Sequence, residues 1–343
     1  MGSRVPVCAL ACLLVALGIN AVAGETVTVG VNVVNPQRLS AGDRQALLDQ
    51  LQTAGVRVIR APLSPAWDGD DYGPATDFIR RASERGIKAD LIVGLQYREG
   101  AQRRPAVKDL PAMWPSFPFS VADPERFRAV FKPLFERLET TGITFAALEL
   151  GNEINWTAFN GDFPIPGEGR VFGEADLTRD PEAIRIAEGY RAYLRTLGVL
   201  KDIRDHSRLN RGTPILSAGL SDPGPAGSRP GSKTDAVTIG ATLQYLRANG
   251  LDALVDAYGV HTYPVAKASA QRLKTAGRGY AGGVSAAWPG KAVLAHRMGA
   301  ARCWRCMSWR RWPASRADAG NACRLRTIRP ARPAEGDDLL RLE

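Results

Sequence analysis

The sequence predicts an α/β fold of the (β/α)8 TIM-barrel class, incomplete after its sixth or seventh strand. Three observations carry that prediction. Short β-branched runs alternate with amphipathic stretches of helical spacing, the pattern of a parallel sheet wrapped by helices. The connections after the strands differ widely in length, as they do where one end of a barrel carries a site on its loops. The 343 residues also exceed the about 250 that one such barrel needs.

Each element follows in order. The run T-V-T-V-G-V-N-V from Thr26 to Val33 reads as a first buried strand. Ala41 to Ala54 places Leu47, Leu48 and Leu51 on one helical face, and Gly55 resets the chain before a second strand, Val56 to Arg60. A helix is expected over Asp77 to Arg85 and a third strand over Ile87 to Gln96, followed by a Pro-rich loop from Pro105 to Pro118. Asp123-Pro124 starts a helix that stays amphipathic through Phe127, Val130, Phe131, Leu134 and Leu138. Thr144 to Leu150 is the fourth strand. The Gly/Pro-rich stretch Asn155 to Asp180 is a loop long enough to be expected to line a cleft. A long helix from Pro181 to His206, a fifth strand from Pro214 to Leu220, a loop from Ser221 to Lys233, a helix from Ala236 to Asn249 and a sixth strand from Val255 to Val260 complete six units. After Lys291 the rhythm fails.

The ends of the chain differ from its body. Met1 to Ala23 carries Arg4, an apolar run from Val5 to Leu17 and a small-x-small end at Ala21-Val22-Ala23, the pattern of a secretory signal peptide cleaved before Gly24. The run is too short to span a membrane, so the product is expected to be secreted or periplasmic. Cys8 and Cys12 leave with that peptide, and Cys303, Cys306 and Cys323 all lie in the last stretch. The body, residues 24–291, is therefore expected to be held by its core rather than by disulfides. The formal charge of +10 is concentrated towards the carboxyl terminus, so neither a nucleic acid nor a membrane is expected as a partner. Cys303-Trp304-Arg305-Cys306 lacks further ligands at metal spacing, and neither a metal nor a cofactor is expected. G-x-S-x-G does not occur and the histidines are only His206, His261 and His296, which argues against a Ser/His/Asp hydrolase.

The chemistry centres on I-T-F-A-A-L-E-L-G-N-E-I-N-W, Ile143 to Trp156. It sets Glu153 past the carboxyl end of a buried parallel strand, the functional face of a barrel. Cleaving a glycosidic bond takes two carboxyls, about 5–5.5 Å apart in the retaining mechanism, one donating a proton and one attacking. An Asn beside the donor can hydrogen-bond a sugar hydroxyl, and Trp156 and Phe159 offer flat faces to a pyranose ring.

On three motifs, the chain from about Val27 to Lys291 resembles the clan A glycoside hydrolases, retaining enzymes on a (β/α)8 barrel. The motifs are G-N-E at Gly151 to Glu153, A-G-V-R-V-I-R ending at Arg60, and Y-G-V-H-T-Y-P from Tyr258 to Pro264. The resemblance implies a carbohydrate substrate, Glu153 as acid/base and Asn152 on the 2-hydroxyl. It also implies Arg60, His261 and Tyr263 around the nucleophile, with Tyr263 its hydrogen-bond partner; Trp156, by its flat face, joins them as a substrate-binding residue.

That family's pattern requires a nucleophilic Glu after the seventh strand, within a Thr-Glu-Trp-Gly-like run. No carboxylate occurs between Lys291 and Asp318, and residues 292–343 have the Arg, Cys and Trp excess of a GC-rich gene read off frame. Back-translating Ala292 to Gly299 and reading one base further on permits Pro-Cys-Trp-Leu-Thr-Glu-Trp-Gly, provided Arg297 is CGA and His296 is CAC. The expectation is a frame shift near Lys291, an aberrant tail over 292–343 and an impaired hydrolase. The alternative is a barrel that binds carbohydrate without cleaving it.

Overall fold

The computed structural model describes residues 30–65, 70–108, 110, 115–221, 232–262 and 292–297. The central sheet is parallel throughout, and its strands are β1 (Val31–Asn32), β2 (Val58–Leu63), β3 (Lys88–Val93), β4 (Ala147–Leu150), β6 (Ile215–Leu216), β7 (Leu220–Ser221), β9 (Ala257–Thr262) and β10 (Ala292–Arg297). Their spatial order is β1-β2-β3-β4-β6-β9-β10, with β7 also on β9. Each strand position lies beside the next one in the chain, so the crossovers all advance the same way and the sheet is that of a partial TIM barrel. Among the described residues no strand joins β10 back to β1. Registers run from Val58↔Lys88 to Leu63↔Val93 between β2 and β3, and from Asp90↔Ala147 to Val93↔Leu150 between β3 and β4.

Local chemistry sets the helices. The helix α1 (Ala41–Thr53) is capped by Ser40, α3 (Pro124–Thr140) by Asp123, α5 (Pro181–Asp205) by Asp180 and α6 (Ile239–Ala248) by Thr238, each side chain accepting first-turn N–H groups. Such caps are worth about 1 kcal/mol each. On α3 the buried residues Phe127, Phe131, Phe135 and Leu138 form the inner stripe, and the three phenylalanine rings follow one another at 5.2 Å (stacked) and 5.6 Å (tilted) in a run that continues to Phe145. The longest helix, α5, buries Tyr190 and Tyr193 completely against the sheet side of the core.

Several boundaries differ from the sequence reading, each for a local reason. Residues 26–29 of the expected first strand lie outside the described residues. The second helix, α2 (Gly73–Glu84), begins four residues before Asp77, because Pro74 occupies its first turn. The fifth strand is broken into β6 and β7. Between them Ala218 N donates to the Tyr193 hydroxyl at 3.0 Å and Gly219 N to Glu149 Oε1 at 2.8 Å, so side chains take the donors a ladder would use. The expected helix over Ala236 to Asn249 loses its start to strand β8 (Ala236–Val237), and Thr238 caps what remains. A seventh strand, β10, occupies residues 292–297, the later of the two points at which the barrel was expected to break off.

The stretch Asn155 to Asp180 is packed rather than open. It contains β5 (Val171–Phe172), which pairs with β8 in a second, two-stranded sheet, and α4 (Asp176–Arg179). Asn155, Thr157, Asn160 and Asp162 are buried. Asn155 Nδ2 donates to the Ser221 and Val237 carbonyls, and the Arg104 guanidinium reaches the carbonyls of Thr157, Asn160 and Phe163. Asp235 accepts from Glu168 N and Arg170 N. Buried polar side chains thus satisfy a backbone that has little regular ladder of its own. Burial lowers the Arg104 pKa to about 10.

No helix among the described residues is long and apolar enough to cross a membrane. No group of three or more His, Cys, Asp or Glu side chains among them could hold a metal ion.

Candidate active site

The site is built where β4 runs out. Leu150 ends the strand, and Gly151 (φ 79°) and Glu153 (φ 45°) both take left-handed backbone. A glycine adopts that conformation freely, whereas Glu does so at a cost on the order of 1 kcal/mol or more. The turn is fastened by Glu153 N donating to the Gly219 carbonyl at 2.9 Å and by Trp156 N donating to the Glu153 carbonyl at 3.1 Å. The Glu153 carboxylate is thereby directed at β9, where Oε1 lies 2.8 Å from His261 Nδ1. Gly219 makes this contact sterically possible, since a Cβ there would sit 1.9 Å from His261 Nε2.

A second carboxylate lies on the same strand. Glu149 receives Arg60 Nε at 2.8 Å and Nη2 at 2.6 Å, a bidentate pair, and also the Gly219 N–H. Arg60 extends further, from Nη2 to Asn152 Oδ1 at 2.9 Å and from Nη1 to Asn32 Oδ1 at 3.1 Å. Glu149 and Glu153 are 0% exposed, His261 1% and Arg60 5%, so the cluster sits in the barrel interior. Burial lowers the Arg60 pKa, but the charge and hydrogen bonds of Glu149 outweigh it and leave the guanidinium above its usual range. Asp90, the register partner of Arg60 on β3, is pushed up to about 8 by burial and by the Glu149 charge, with Arg60 offsetting part of the rise.

The structure therefore brings Arg60, Asn152, Glu153 and His261 together and leaves Trp156 half-buried beside Phe159, with ring centroids 6.3 Å apart. Tyr263 lies outside the described residues, as do the signal-peptide stretch and every cysteine. His261 lies against Glu153, and Arg60 is buried in an ion pair with Glu149. Glu149 and Asp90 escaped the sequence reading. The spacing E-x-G-N-E was legible as letters, but only the curvature of the sheet puts Glu149 on Arg60. Chemically, the Glu153 carboxylate and the His261 imidazole form one buried hydrogen-bonded pair at the strand end.

No family model matches the chain, and no curated protein matches it. Solved structures match it at low identity. A fungal β-1,4-galactanase is 18% identical over 78% of this chain and 73% of its own, with a TM-score of 0.46. An endo-β1,6-glucanase is 11% identical over 81% and 59%, at 0.44. The endocellulase of Pyrococcus horikoshii, solved with cellotetraose, is 16% identical over 78% and 73%, at 0.39. These are likenesses of fold, and the strand order of this chain describes that fold independently.

Proposed function

We propose that this chain is an exported glycoside hydrolase of clan A by descent, with Glu153 as the acid/base and without a nucleophile as written. The observation that carries the reading is the buried Glu153–His261 pair at the end of the fourth strand, beside Asn152. A general acid must be held at a strand end and exchange a proton reversibly, and a Glu whose partner is an imidazole meets that need. The left-handed backbone of Glu153 supports the same reading, because strain of this kind collects at working residues. A carbohydrate is the substrate in this reading, with the Asn152 amide on a ring hydroxyl and Trp156 as a stacking face.

The register of β10 supports the frame-shift reading. Arg297, the position at which the alternative frame permits Glu, is the partner of Thr262, and His296 is the partner of His261. A Glu at 297 would thus stand at the end of the seventh strand, one residue along from the strand position that serves Glu153.

The test is to sequence the gene from the codon of Gly290 to the stop. A frame that restores Glu after the seventh strand supports the enzyme reading. The restored chain should then cleave an unactivated β-glycan, and Glu153→Gln should lower that rate by about 10²–10⁴-fold. Full activity in Glu153→Gln would remove Glu153 from the mechanism. If the frame stands as written and the chain binds oligosaccharide without turnover, it is a sugar-binding barrel instead.

A further inference from the structure

We propose that Glu149 is the positioning residue of this site, setting the Asn152 amide through Arg60 and the Glu153–His261 pair through the backbone of Gly219. The first branch follows from donor counting. Arg60 Nη2 donates to both Glu149 Oε1 and Asn152 Oδ1, at 2.6 and 2.9 Å. A guanidinium carries donors only, so Asn152 must turn its oxygen to Arg60 and keep its Nδ2 hydrogens for a ligand. Asn152 therefore recognises an acceptor oxygen, and it does so only while Glu149 holds Arg60 in place by its two-pronged bond.

The second branch runs through one peptide unit and its neighbour. Gly219 N donates to Glu149 Oε1 at 2.8 Å, while the Gly219 carbonyl accepts from Glu153 N at 2.9 Å. The Gly219 α-carbon is also the floor on which the His261 ring lies. Glu149 thus grips the residue against which both members of the Glu153–His261 pair are seated. Asp90, its register partner, and more weakly Glu153 also act on Arg60, so a guanidinium released by Glu149 has other carboxylates within its field to draw it away from Asn152. The significance of this arrangement for sugar cleavage rests on the glycosidase reading; the positioning itself does not.

The chain has three histidines, His206, His261 and His296, so selective ¹⁵N labelling of imidazoles resolves every ring. The measurement compares Glu149→Gln with Glu139→Gln, using the His261 ring signals and the Asn152 side-chain amide pair as readouts. Glu139 is an apt control because it is a buried carboxylate holding Ser207, Leu209 and Asn210, outside the site. The expected result is that Glu149→Gln moves both sets of signals and Glu139→Gln moves neither, even where the two lower stability equally. Unmoved signals in Glu149→Gln, or equal movement in both variants, overturns the proposal. Should Glu149→Gln fail to fold, Arg60→Lys keeps the charge and loses the two-pronged bond. It must then displace the Asn152 amide pair, and an unmoved pair overturns the proposal. No substrate enters the measurement, so the glycosidase reading can fail while this result stands.

Discussion

Glu149 and Glu153 are four residues apart on one strand and its turn, equally buried, and held by opposite kinds of partner. Glu149 sits on regular β backbone against Arg60, a cation that keeps its proton at any pH the fold survives. Glu153 sits on left-handed backbone against the His261 imidazole, with Oε1 2.8 Å from Nδ1. The first pocket is a bidentate ion pair on regular strand backbone, and the second is a carboxylate–imidazole contact on strained backbone. The difference teaches how one strand end can hold two buried carboxylates by different means. Arg60 fixes Glu149 with two parallel donors, whereas the turn after Leu150 aims Glu153 at β9.

Removing each carboxylate should separate the two pockets most sharply. Glu149→Ala strips the buried Arg60 of its bidentate partner and should cost about 3–5 kcal/mol in denaturant unfolding. Glu153→Gln keeps an acceptor for His261 and removes a buried charge, so it should change stability by about 1 kcal/mol or less. Equal losses in the two variants would erase the distinction.

Asp90 offers a somewhat smaller effect that is read through pH. Its carboxyl titrates near 8 in the fold, against an ordinary value of 3.8. Between those limits the folded chain keeps a proton that the unfolded chain gives up, so stability should fall as pH rises from about 4 to 8. Asp90→Asn removes that dependence and should gain on the order of 2–3 kcal/mol at pH 7 relative to the parent. A parallel pH profile for parent and variant would show that Asp90 is charged in the fold.

The smallest expected effect sharpens the backbone half of the comparison. At position 153, Gly relieves the positive φ that Ala would inherit, so Glu153→Gly should be more stable than Glu153→Ala by about 1 kcal/mol. The order should reverse at position 149, where the backbone is that of a strand and Gly costs about 0.5–1 kcal/mol against Ala.

Much of the fold was legible along the chain. The Asp123-Pro124 start, the Phe127–Phe131–Leu138 stripe and the buried run before Gly151 each state their element locally. Boundaries failed where a distant partner intervened. The break at Ser217 to Gly219 depends on Tyr193 and Glu149, and the β-pairing of Ala236–Val237 depends on Val171–Phe172. The stretch after Trp156 read as a loop lining a cleft because it is rich in Gly and Pro, whereas Arg104 and Asp235 tie its backbone down from elsewhere in the chain.

By itself the sequence determined the alternation of strands and helices, the G-N-E turn and a stretch without carboxylates between Lys291 and Asp318, since all three are patterns of neighbours. The tertiary structure alone decided which charges meet. Arg60 finds Glu149 across 89 positions and Glu153 finds His261 across 108, because parallel strands bring their carboxyl ends together regardless of the chain length between them.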